Sequence, residues 1–244
     1  MIKEAIDRII ELAGPKTIEV NDEFYSKDKL NRIPNDILCE PLQINSLKGL
    51  IDYIKAKVGY DFKAGKCLIH IISPTHIRLI SDLNGDGRRE TYVDAVATIP
   101  EFRFGYRYNS EEFLINVQAK FVDSMPSNDK ELLLKFAGTV KTGSVTEYGD
   151  DGVSQKATVK VGVSSLADAK VPSPCRLYPY RTFTEIDQPG SEFIFRMFDD
   201  KNGDIDCALY EADGGAWMME AKASIHDYLK TMLEEIGIDI PIVM

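Results

Sequence analysis

A chain of 244 residues with 44% hydrophobic and 28% charged side chains has an ordinary globular composition and is long enough to bury roughly 70–75% of its unfolded surface. The net charge of −10 and a pI near 4.9 argue against a nucleic-acid partner, because binding to phosphates is driven by clustered Lys and Arg. No run approaches the roughly 20 apolar residues that a membrane span requires. Charges at Lys3, Glu4, Asp7, Arg8 and Glu11 interrupt the first segment, so no signal peptide is expected. Cys39, Cys67, Cys175 and Cys207 are widely spaced with no CxxC, which reads as free thiols in a reducing cytoplasm.

In chain order, the spacing of Ile2, Ile6, Ile9 and Ala13 predicts a helix over 2–13, stopped by Gly14 and Pro15. Residues 16–44 read as short extended pieces broken by Pro34 and Pro41. A second helix is predicted from Asn45 or Ser46, with Leu47, Leu50, Ile51, Ile54 and Val58 on one face. Strands over 67–73, 76–82 and 89–99 then form a β-meander, with a turn at Pro74 and a hairpin loop DLNGDG. Asn109 with Glu112, and Asn128 with Glu131, have capping-box spacing and open two helices. Phe113, Val117 and Phe121 mark the buried face of the first; Leu132, Leu133 and Phe136 mark that of the second.

Residues 139–147 and 153–163 read as a hairpin across YGDDG, and strands are predicted over 176–186, 192–198 and 205–211. The last helix is placed at 215–236, with Met218, Ala221, Ile225, Leu229, Met232 and Ile236 inward. IDIPIVM at the end suits a short edge strand, where Pro241 is tolerated. The expected fold class is α+β: antiparallel hairpins or a mixed sheet packed with helix pairs and a long C-terminal helix, in one unit over 1–244. A sub-boundary near Tyr108 is the alternative.

At PYRTF (179–183), IDQPGSEFIFR (186–196) and EADGGAW (211–217), with DDGVSQ (150–155) beside them, the chain resembles a family of phage and prophage proteins from Gram-positive bacteria. More distantly it is similar to the YfdQ-like prophage proteins, in which a helix pair precedes a hairpin, a P…L…PY strand and a long C-terminal helix. The resemblance implies a viral or mobile-element origin and a bacterial cytoplasm, and it brings no catalytic residues with it. In physical terms these motifs look structural. Arg181 and Glu185 are four apart and could pair if extended. Arg196 among phenylalanines needs a carboxylate or a ring face. Gly214 and Gly215 suit a strand-to-helix turn, and Trp217 is expected as a core anchor.

Asp82, Asn84, Asp86 and Glu90 match positions 1, 3, 5 and 9 of an oxygen-ligand calcium loop, with Gly87 at position 6. Val93 stands where an EF-hand needs its bidentate Glu, and the flanks are strands. What remains is a hairpin loop holding Ca2+ or, more simply, an Asn-Gly/Asp-Gly turn. Asp200, Asn202, Asp204 and Asp206 form a poorer copy, and Asp150–Asp151 reads as a turn. His70, His76 and His226 form no ligand or catalytic set by spacing, and no GxSxG, HExxH, GxGxxG or P-loop pattern occurs. The expectation is therefore a non-enzymatic protein that assembles into a homo-oligomer. The aromatic row Phe102, Phe104, Tyr106 and Tyr108, or the tail 238–244, is either core or a surface for a neighbouring copy. The alternatives are an acidic anti-defence or regulatory protein that captures a host or phage protein or a small ligand, and a metal-dependent enzyme.

Overall fold

The apolar run from Cys67 to Ile71 forms a strand because it alternates between two environments, every second side chain being fully buried. The computed structural model describes residues 2–13, 17–20, 23–26, 38–56, 66–84, 87–123, 128–142, 144–150, 155–161, 164–165, 169–170, 173–199 and 205–244. In chain order the elements are α1 (Ile2–Ala13), β1 (Thr17–Val20), β2 (Glu23–Ser26), β3 (Leu42–Ile44), α2 (Leu47–Ala56), β4 (Cys67–Ser73), β5 (His76–Ser81), β6 (Thr91–Val96), β7 (Tyr108–Asn109) and α3 (Ser110–Lys120). There follow α4 (Asp129–Thr142), β8 (Ser144–Asp150), β9 (Gln155–Val161), β10 (Ser164–Ser165), β11 (Ala169–Lys170), β12 (Cys175–Leu177), β13 (Ser191–Asp199), β14 (Ile205–Glu211), α5 (Trp217–Glu235) and β15 (Ile242–Val243). The fold class is α+β.

Residues 1–38 and 39–244 are separate compact units. The first contains α1 and the antiparallel pair β1–β2. In the second, a five-stranded sheet has the order β15-β4-β5-β6-β3. Its centre is the expected meander, and β3 and β15 join its edges in parallel. Pro241 sits at the edge as anticipated, its carbonyl accepting from Ile69 N–H at 2.9 Å. The faces of α2 and α5 close this core: Leu47, Leu50, Ile51 and Ile54 from one, Ile225, Leu229 and Leu233 from the other. Ser46 caps α2, its hydroxyl accepting from Gly49 N–H at 3.1 Å. Val58 lies outside the described residues.

A four-stranded antiparallel sheet, β12-β13-β14-β7, carries the second core. Phe193, Phe195 and Met197 alternate inward along β13 and meet Phe113, Val117 and Phe121 from α3 and its end. Asn109 caps α3 as its spacing predicted, its side chain accepting from Glu112 N–H at 2.9 Å. Lys130 of α4 is buried where α3 ends, and donates to the Phe121 carbonyl and to Asp123 at 2.6 Å each. A cation there answers the unpaired carbonyls and the negative end of the helix dipole. A third, antiparallel sheet groups β8, β9, β10 and β11.

Several expectations need correction. Residues 139–142 continue α4 instead of opening a strand, so the hairpin begins at Ser144. On α4 the inward side is Leu133, Phe136 and Ala137, while Leu132 faces solvent; on α5 Met218 is exposed. The strand expected over 176–186 ends at Leu177, and the chain beyond it is irregular apart from one bridge between Phe121 and Pro179. The aromatic row is not a strand either. A turn at Gly105 (φ +74°) folds it, sending Phe102 and Phe104 against the second core beside buried Tyr108 and leaving Tyr106 exposed.

Candidate functional site

The predicted hairpin loop joins β5 to β6, and its described oxygens hold the turn together. Asn84 Oδ1 accepts from Arg88 N–H at 2.8 Å, and the Asn84 carbonyl accepts from Gly87 N–H at 2.9 Å. Glu90 Oε1 accepts from Cys39 N–H at 2.7 Å, which ties the loop to the chain before β3. Asp82 is exposed. Asp86 lies outside the described residues, as do Asp200, Asn202 and Asp204. Among the described residues no group of three or more His, Cys, Asp or Glu could hold a metal ion.

The segments 179–183, 186–196 and 211–217 converge on Arg181, which is only 7% exposed. Its guanidinium donates to the Pro189 carbonyl at 3.1 Å, to Ser191 Oγ, and to Glu211 Oε1 at 3.0 Å. It also lies 4.0 Å from the centroid of half-buried Trp217. Burial pulls the guanidinium down to about 10, against the opposing pull of Glu211, Asp213 and Glu220. Ser191 in turn donates to Asp213. Burial works to raise that carboxyl, but the Ser191 hydroxyl and the Gly215 N–H outweigh it and hold it below its ordinary value.

Gln188 reads the backbone here, accepting from the N–H groups of Arg181 and Thr182 and donating to the Phe183 carbonyl at 3.0 Å. Gly214 and Gly215, both at positive φ, make the turn into α5 as anticipated. The pairing of Arg181 with Glu185 is overturned: with no strand to align them, Glu185 instead accepts from Lys48 N–H in the first turn of α2 at 3.1 Å. The cluster's polar groups mostly face one another, while Arg181 Nε is buried without a hydrogen-bond partner.

His76 and Arg78 both bond Asp94 Oδ1 across β5 and β6, at 2.5 and 2.9 Å. Burial works to raise the Asp94 carboxyl, and these two partners outweigh it. The cluster has a base and an acid, but no thiol or hydroxyl is bonded to the imidazole among the described residues. It is a hydrogen-bonded cluster on the sheet, with Arg78 and Asp94 as its ion pair.

Two features remain available to other molecules. The first is α1, whose large apolar side chains Ile2 (80%), Ile6, Ile9 (64%) and Leu12 are all exposed. The second is a groove of about 460 Å³ lined by Glu101, Arg103, Tyr106, Tyr108, Glu112, Asn116 and Lys120. Sequence reasoning missed it. Its only trace was Glu112, Asn116 and Lys120 at i, i+4, i+8 on α3, one residue behind the core stripe Phe113, Val117 and Phe121.

Comparison with protein-family models, curated proteins and solved structures finds no match to this chain. Among the described residues no helix is long and apolar enough to cross a membrane.

Proposed function

We propose that the chain is a phage- or prophage-derived, non-enzymatic protein of the bacterial cytoplasm that assembles into a homo-oligomer through α1. The observation that carries the reading is the exposed apolar face of that helix. A 12-residue helix is marginal in water on its own, and helices of this length owe their stability to a covered apolar face. Glu4, Arg8 and Glu11 share one flank, so an antiparallel copy would meet them with charges of both signs. Closed two-fold pairing is the commonest solution for soluble chains. The resemblance at 179–183, 186–196 and 211–217 supports the origin, and four free cysteines fit a reducing compartment.

Light scattering coupled to size exclusion tests the assembly. The expected mass is a multiple of 27.4 kDa, falling to the monomer when Ile6→Asp and Ile9→Asp are combined. A wild-type monomer across micromolar concentrations would overturn the reading.

A further inference from the structure

We propose that the groove between residues 101–108 and α3 binds a neutral polyhydroxylated ligand, one or two sugar rings in size. The inference is independent of self-association. Its first support is charge balance. Glu101 and Glu112 face Arg103 and Lys120; Arg103 Nε bonds Glu101 at 3.0 Å, and Lys120 Nζ is held by the Glu101 carbonyl. A lone anion or cation entering here meets a like charge as well as an opposite one, whereas a neutral ligand meets no such penalty.

The second support is the geometry of the unused polar groups. Among the described residues the Glu112 carboxylate has no hydrogen bond or ion pair, and Asn116 spends only its amide nitrogen, on the Glu112 carbonyl at 2.7 Å. Arg103 engages Glu101 through Nε alone. Carboxylate, carboxamide and guanidinium are planar groups that present paired acceptors or donors. Neighbouring hydroxyls on a sugar ring each donate and accept, so they satisfy both kinds.

The third is an aromatic plate. Tyr106 is 49% exposed and held in a T-shaped contact with Tyr108, ring centroids 4.8 Å apart. A sugar presents C–H groups on one face, and the negative face of an aromatic ring attracts them. The lining is also fixed before any ligand arrives, since Arg103 N–H donates to Tyr108 Oη at 2.9 Å, which lowers the ordering cost of binding. The volume lies within the roughly 300–1,000 Å³ of ligand pockets.

Cellobiose, maltose and N,N′-diacetylchitobiose, titrated by saturation-transfer NMR and calorimetry, form the test. At least one should bind with a Kd of about 1 mM or tighter. Tyr106→Ala and Glu112→Gln should each weaken it about tenfold or more without changing the melting temperature. Should Tyr106→Ala disturb the fold, Glu112→Gln alone decides. Silence of all three sugars up to about 10 mM, or binding indifferent to both substitutions, overturns the proposal. Tighter, salt-sensitive binding of Nα-acetyl-lysine amide or inorganic phosphate overturns it too, because the groove would then select charge.

Discussion

Replacing Arg181 separates the energy of its charge from the energy of its shape. A folded-state pKa of about 10 against an ordinary 12.5 means that keeping the guanidinium charged costs the native state about 3 kcal/mol. Removing it deprives two buried acceptors, the Pro189 carbonyl and Ser191 Oγ, at about 2 kcal/mol each. The attraction of Glu211, 40% exposed, is already contained in the pKa of about 10 and is not counted again. Arg181→Met, which keeps the stem on Trp217, should therefore cost only about 1 kcal/mol. Arg181→Ala adds an unfilled cavity and should cost about 3–4 kcal/mol in total. Urea melts at pH 7 measure both, and the Ala variant should melt about 10 °C lower by calorimetry. An alanine variant within about 1 kcal/mol of wild type would refute the structural reading and turn attention to Arg181 as a binding residue.

Acid titration should expose Asp94 and Asp213, both held below their ordinary value of 3.8. Their contribution is fully present above that value and is lost as the pH falls through the lower folded values; urea melts between pH 2 and 6 should show the loss, and Asp94→Asn should flatten it. Iodoacetamide should label Cys39 in the native protein and reach buried Cys67, Cys175 and Cys207 only after unfolding, since burial pushes Cys175 and Cys207 up to about 12. Labelling of all four at one rate would contradict this. Gly214→Ala forces a φ of +63° on an L side chain and should cost about 1 kcal/mol by urea melt, more than Gly138→Ala, whose Cβ meets open space inside a helix.

Helix and strand positions were legible wherever period and cap agreed. Asn109 and the stripe Phe113, Val117 and Phe121 placed α3, and apolar or aromatic runs bounded by turn signals placed β13 and the meander. The segment 178–186 was misread because aromatic and β-branched residues favour extended chain wherever they occur, and no local signal reveals that Gln188 will satisfy its backbone. The segment 101–108 failed for a related reason: period two implies one face only in a straight strand, and Gly105 bends it. The candidate groove was invisible because its lining joins a loop to a helix flank, and exposed charged residues at helical spacing look like any solvated surface. The turn at the β5–β6 loop was legible from its Asn-Gly and Asp-Gly pairs; Asn84 Oδ1 accepts within it, while Glu90 reaches out to Cys39 N–H before β3.

Three consecutive residues tie the second unit together. Arg181 reaches Ser191 and Glu211 on the four-stranded sheet, Thr182 donates to the Pro74 carbonyl between β4 and β5 at 2.6 Å, and Phe183 enters the core beneath the five-stranded sheet. Neither core can loosen without pulling this tripeptide from the other. Amides in β4 and β13 should therefore exchange with solvent deuterium through one shared opening, not two independent ones. A protease cut between residues 97 and 108 should release no separately folded half.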